Sequence, residues 1–144
     1  MKKLSFKNLD KDYRNLIVFA KKAIKHSYSP YSSLAIGAGI LTKSGKIFLG
    51  TNIENASYGL TICAERVAIF SAISNGEKDF KALAITSNQK NITPCGACRQ
   101  VFFEVYEAFG NDFKVLVANS SKEEVLIYSV SELLPNPFSS KDLK

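Results

Sequence analysis

The sequence predicts one α/β layered domain over residues 1–144 with a mixed central sheet. Three patterns carry that expectation: a leading amphipathic helix, a β-hairpin, and then strand-like runs alternating with helix-like runs. From Asp10 to Tyr28 the stripe Tyr13, Leu16, Ile17, Ala20, Ile24 and Tyr28 recurs at helical spacing, with lysines on the opposite side. Ser29-Pro30 ends it, because proline disfavours helical backbone in the residue before it. Ala35–Thr42 and Lys46–Asn52 flank Ser44-Gly45, which reads as a hairpin turn. Cys63–Asn75 reads as a helix closed by Gly76, and Phe80–Ser87 as a buried strand. A third helix is expected to open with Thr93 as N-cap and Pro94 as its first residue, and to run to Gly110. Phe113–Asn119 and Val125–Tyr128 read as strands, followed by a short helix over Ser129–Leu134.

Composition narrows the function classes. With 144 residues, 46% of them hydrophobic and 22% charged, the chain matches ordinary globular proteins. Its longest clean apolar run, Leu34 to Leu41, falls far short of the roughly 18 residues of a spanning helix, so no membrane role is expected. The net charge of +6 sits in residues 1–28, which hold eight Lys/Arg against two Asp. A nucleic-acid footprint clusters across a fold; one basic segment on a neutral body reads as a solvated helix face. The first residues carry early lysines but no apolar stretch of the secretory kind. Three cysteines cannot all pair within one chain, and clustered cysteines without an export signal favour a metal or catalytic role in the cytoplasm.

Two clusters carry chemistry. The helix from Cys63 is apolar almost all round, yet its first turn holds Glu65 and Arg66. Buried charges are costly unless paired or metal-bound, although a Glu–Arg pair at a domain edge would also account for them. The second cluster, Pro94-Cys95-Gly96-Ala97-Cys98-Arg99, puts two thiols three residues apart on one helix face. Alone it fits a redox dithiol, half of a structural zinc site, or two buried small hydrophobes. Together the clusters are more specific, because a strand–helix–strand crossover brings both helix starts to one sheet edge. Three converging sulfurs leave a fourth tetrahedral position open, as catalytic zinc sites do. The only histidine, His26, lies on the basic helix and is a poor fourth ligand, whereas Glu65 beside the open position suits a proton acceptor.

Cys63-Ala64-Glu65-Arg66 followed by Pro94-Cys95-Gly96-Ala97-Cys98-Arg99-Gln100 resembles the compact, homotetrameric cytidine deaminases of pyrimidine salvage. Ser29-Pro30-Tyr31-Ser32 before Gly37-Ala38, Asn52-Ile53-Glu54-Asn55-Ala56, and Glu132-Leu133-Leu134-Pro135 before Phe138-Ser139-Ser140 extend the likeness over roughly residues 13–143. The resemblance implies a three-layer α/β/α fold and one Zn²⁺ per chain on Cys63, Cys95 and Cys98. It implies attack of a zinc-activated water on C4 of cytidine or 2′-deoxycytidine, with Glu65 moving protons to N3 and to the departing amine. It further implies that the Ala64 N–H holds the pyrimidine O2, the Thr93 carbonyl takes the 4-amino group, and Asn52 and Glu54 grip the ribose 3′-hydroxyl. Leu34 stands where the family commonly has an aromatic residue against the ring. Three thiolates and Zn²⁺ sum to −1, so Arg66 is expected to draw off negative charge.

The apolar tail, with Val130, Leu133, Leu134, Pro135, Pro137 and Phe138, reads either as an interface or as a segment folded on its own core. The resemblance implies that Phe138 reaches a neighbour's site in a homotetramer. Three rival readings stand beside a nucleoside deaminase. One is the same chemistry on blasticidin S or nucleic acid. The others are a structural zinc module and a Cys95/Cys98 dithiol oxidoreductase.

Overall fold

The computed structural model of the chain describes residues 1–119, 121 and 123–144. Its elements are β1 (Lys2–Ser5), α1 (Lys11–Ala23), β2 (Ile36–Thr42), β3 (Ile47–Thr51) and α2 (Ala64–Ser74). They continue as β4 (Phe80–Ser87), α3 (Gly96–Phe109), β5 (Lys114–Ala118), β6 (Glu124–Ser129) and α4 (Val130–Leu133). The six strands form one mixed sheet in the order β1-β6-β5-β4-β2-β3, parallel only between β4 and β5.

Alternation along each strand sorts side chains onto two faces. Ala38, Ile40, Leu83, Ile85, Val115 and Val117 pack with Ala68, Ile69, Phe102 and Val105 of α2 and α3. Leu41, Ala82, Ala84, Leu116, Ala118 and Val125 pack with Leu16, Ile17 and Ala20 of α1. The sheet is therefore sandwiched between helices, the α/β/α arrangement expected, and each large side chain so buried contributes about 1.5–3 kcal/mol. Among the described residues no helix is long and apolar enough to cross a membrane.

Two glycines let the layers touch. A Cβ on Gly37 would run into the Ala20 carbonyl of α1, and one on Gly50 into the Ala64 carbonyl and Ala68 N of α2. These positions are neighbours in the β2–β3 ladder, where Gly37 pairs with Thr51 and Ala38 with Gly50. Helix backbone and strand backbone meet there on both faces.

Three expectations need correction. The strand Lys2–Ser5 has no counterpart in the sequence reading; it pairs with β6, while Leu4 and nearby Phe6 pack on the α1-side core. The first helix ends at Ala23, and one 3-10 turn over Ile24–His26 follows. Tyr28 thus leaves the stripe: its backbone bridges Ile53, and its ring is exposed. The third helix opens at Gly96 with Cys95 as N-cap, so Thr93 and Pro94 lie in the preceding loop. Its end is as expected, with Gly110 in the left-handed conformation at φ 75°. Gly76 likewise takes φ 87° after α2. Ser129 caps α4 in a reciprocal box with Glu132.

Topology places one end of the sheet under three loops. β2 is antiparallel to both β3 and β4, so β3 and β4 run in the same direction. Their C-terminal ends and the start of β2 therefore share an edge. Residues 27–35, 52–63 and 88–95 gather there, and α2 and α3 both begin there. Such an edge, outside the carboxyl ends of the strands, is where open α/β sheets bind ligands.

Candidate active site

Both helices at this edge begin with a cysteine. Cys63 is the N-cap of α2, with φ −77° and ψ 150°, and Cys95 is the N-cap of α3, with φ −70° and ψ 168°. Their carbonyls accept the first helical bonds, from Val67 N at 3.2 Å and Arg99 N at 3.0 Å. Each thiol therefore sits at the positive end of a helix. Cys98, on the first turn of α3, is fully buried and completes the cluster. The three sulfurs lie within 4.8 Å of one another, and Cys63 Sγ is 3.8 Å from Cys95 Sγ. Tetrahedral zinc with Zn–S bonds of about 2.3 Å separates its sulfurs by about 3.8 Å, so the donor set fits that ion.

The electrostatics match a metal site. A hydrogen bond from Cys98 holds the Cys63 thiol down to about 5, with Arg66 and Cys95 adding to the effect against burial. Cys98, which donates that hydrogen and is buried, is pushed up. Arg66 Nη2 lies 3.5 Å from Cys63 Sγ, and this contact with the thiolate raises the guanidinium's own pKa. Glu65 is 3% exposed, and its Oε2 has no hydrogen-bond partner among the described residues. Burial, then the neighbouring Cys63 charge, pushes its carboxyl up to about 7. A buried carboxyl with an orphaned oxygen beside three converging sulfurs is a group waiting for a ligand.

The remaining predicted residues occupy the same edge, with roles partly taken by the protein itself. Asn52 is buried; its Oδ1 accepts from Ser27 Oγ at 2.6 Å and Ile36 N at 2.9 Å, and its Nδ2 donates to Leu34 O at 2.8 Å. Glu54 accepts from Tyr31 N at 2.9 Å, Ser32 N at 3.2 Å and Ser32 Oγ at 2.6 Å, and the Ser32 hydroxyl chiefly holds its carboxyl below the ordinary glutamate value. Glu54 lines an open cavity of about 370 Å³ with Tyr31, Ser32, Tyr58 and Thr61. Nothing in the sequence pattern singles out Tyr58 or Thr61, which meet Tyr31 and Ser32 only through the fold; the Tyr31 and Tyr58 rings stand edge to face at 6.0 Å. Asn88 was equally silent in the sequence. It holds the Leu34 loop through Ala35 N at 3.0 Å and Ser33 O at 3.3 Å, where Ser33 takes a left-handed φ of 59°.

Ala64 is buried at the start of α2, Thr93 is exposed, and Leu34 is half-buried. The tail folds on its own core in part: Val130 and Leu133 sit in the core, whereas Phe138 is 59% exposed. Gln100 Nε2 donates to Phe138 O at 2.9 Å, and Glu107 accepts from Ser139 Oγ at 2.7 Å. His26 is exposed after α1 and is not one of the clustered ligands.

Residues 10–108 match the family model described as the cytidine and deoxycytidylate deaminase zinc-binding region. The chain belongs to this deaminase family. It is 45% identical over 133 residues to the cytidine deaminase of Halalkalibacterium halodurans, covering 92% of this chain and 98% of that protein. It is 47% identical to a probable cytidine deaminase of Dictyostelium discoideum, covering 86% and 82%. The crystal structure of cytidine deaminase from Burkholderia pseudomallei superposes with a TM-score of 0.80 at 42% identity, over 88% of this chain and 98% of that one. Membership in a zinc-binding hydrolytic deaminase family accounts for the three sulfurs and the unpartnered acid together. A dithiol or purely structural role leaves Glu65 unexplained.

Proposed function

We propose that this deaminase acts on cytidine and 2′-deoxycytidine, releasing ammonia and uridine or deoxyuridine, with residues 1–144 as one catalytic unit serving pyrimidine salvage in the cytoplasm. One observation carries the reading: the buried Glu65 carboxyl, its Oε2 without a partner among the described residues, stands beside the three-sulfur cluster. Cys63, Cys95 and Cys98 hold one zinc ion per chain. Bound zinc lowers the pKa of water and so supplies the nucleophile.

The chain's own residues do the rest. Glu65, poised near neutrality, can both accept and return a proton within one turnover, first at ring N3 and then at the departing 4-amino group. Ala64 lies in the first turn of α2, where backbone N–H groups lack helical partners, and its N–H donates to the pyrimidine O2. The Thr93 carbonyl accepts from the 4-amino group. Asn52 retains one amide hydrogen beyond the one given to Leu34, and Glu54 Oε2 retains acceptor capacity beside Ser32 Oγ. Donor and acceptor together suit one ribose hydroxyl. Leu34 offers the ring an aliphatic face. Arg66 draws charge from the Cys63 sulfur.

A homotetramer with shared sites is part of the same reading. Phe70 of α2, Phe19 of α1, Leu49 of β3 and Phe138 of the tail are exposed; exposed apolar side chains on several elements support burial against further copies of the chain. Ammonia release from cytidine, deoxycytidine, cytosine, CMP, blasticidin S and single-stranded DNA tests the proposal. Activity on the two nucleosides is the expected result. Turnover confined to blasticidin S, CMP or DNA would overturn the substrate assignment.

A further inference from the structure

The segment that delivers Cys95 belongs to neither a helix nor a strand, so no ladder fixes it. Its last two carbonyls both end on Arg99. The backbone N–H of Arg99 donates to Cys95 O at 3.0 Å, and its Nε donates to Pro94 O at 2.8 Å. The same guanidinium reaches out of α3: Nη1 donates to Leu133 O at 3.0 Å, the last residue of α4. That carbonyl lies at a helix C-terminus and lacks an intrahelical partner. Leu133 is itself packed in the core, so the outer anchor is firm. One planar group thus bridges the Thr93–Pro94 loop and the end of α4.

We propose that Arg99 is a positioning residue for the metal site, fixing the direction of the Cys95 sulfur and of the Thr93 carbonyl by holding the Pro94–Cys95 peptide plane against α4. The role rests on the reading of Cys95 as a metal ligand. Pro94 carries no N–H and cannot tether this turn as a donor, so the carbonyl is the handle. Guanidinium suits the task because it presents several donors in a rigid plane, and one group can serve two carbonyls in different directions. Without Arg99 the Cys95 sulfur still hangs from α3, but the Pro94 carbonyl loses its tie to α3 and to the end of α4.

Transfer of zinc from the loaded protein to excess chromogenic chelator tests this, alongside cytidine kinetics and melting temperature. The variants are Arg99→Ala, Arg99→Lys and Leu16→Ala, the last destabilising the opposite core layer without touching the site. Arg99→Ala is expected to speed zinc release about 10–100-fold, the usual consequence of losing a group that orients a ligand, and to raise the cytidine KM through the Thr93 carbonyl. Arg99→Lys, able to reach one carbonyl, is expected to fall between it and wild type, and Leu16→Ala to release zinc at the wild-type rate. Release within about twofold of wild type in Arg99→Ala, or equal acceleration in Leu16→Ala, would overturn the proposal. If Arg99→Ala does not fold, Arg99→Lys is judged against Leu16→Ala by the same criteria. Zinc retained in Cys95→Ala would instead strike the ligand assignment itself.

Discussion

Glu65→Gln exchanges one oxygen for an amide nitrogen at a carboxyl that is 3% exposed and has no partner for Oε2 among the described residues. Its effects on rate and on stability should point in opposite directions. The amide cannot take up and return protons, and a positioned acid–base group is worth about 10²–10⁴-fold, so turnover of cytidine should fall by at least the upper part of that range. The charge, meanwhile, is a burden to the fold. The carboxyl titrates at about 7 in place of 4.5, mainly because it is buried, a cause that does not depend on the metal. A group whose folded pKa is raised binds its proton more tightly when folded, so the penalty is absent below the unfolded value and complete above the folded one. It amounts to about 2 kcal/mol near pH 6 and about 3 kcal/mol near pH 8. In the metal-free protein Glu65→Gln should therefore melt higher than wild type, by a margin that widens as the pH rises between those two values. Ammonia release, zinc content and thermal melts at both pH values measure the three quantities. Turnover within about tenfold of wild type would refute the proton-carrier role. A variant no more stable at the higher pH would refute the account of the buried charge.

Arg66→Gln should retain zinc and lower kcat, since it removes the donor 3.5 Å from Cys63 Sγ; unchanged kinetics would reduce Arg66 to a packing residue. Phe138→Ala should raise the cytidine KM with metal content unchanged, and mixing it with Glu65→Gln under subunit exchange should recover more activity than the two parents supply. A fully active monomer would exclude site sharing. Gly50→Ala should cost about 3 kcal/mol in denaturant unfolding, the upper end for overpacking, because the new Cβ meets backbone of α2 that cannot turn aside. A loss well under 1 kcal/mol would show that the helix can shift.

Local signals and long-range ones were legible to different degrees. The stripe Leu16, Ile17 and Ala20, the Ser44-Gly45 hairpin, Gly76 and Gly110 each record a constraint within a few residues, and each lies where its pattern predicts. The cysteine spacing was legible because metal ligands restrict residue type as well as position. Thr93-Pro94 misled because its capping chemistry is sound in isolation, whereas in the fold Arg99 captures the Pro94 carbonyl and the helix starts at Cys95's side. Lys2–Ser5 was missed because four residues carry little periodicity, and its pairing partner lies some 120 positions away. Asn52 and Glu54 were legible through the resemblance of Asn52-Ile53-Glu54-Asn55-Ala56. That they also fasten the loop carrying Leu34 depends on Ser27, Ile36 and Ser32, which no local pattern connects to them.

The paired bare positions at Gly37 and Gly50 bear on how the enzyme can open. With α1 and α2 seated directly on strand backbone from opposite faces, the sandwich has no slack at that point. Neither helix can slide inward, and the first turn of α2, which presents Glu65 beside Cys63, can at most pivot about the contact. Breathing motions that admit and release a nucleoside must then belong to the surrounding loops: 27–35, which between its backbone bonds at Tyr28 and Ala35 is tied by side chains of Asn52, Glu54 and Asn88, and 52–63, with its exposed Tyr58 and Leu60. The catalytic floor stays fixed while the walls move, so relaxation measurements should find slow exchange in the loops and none in residues 64–68.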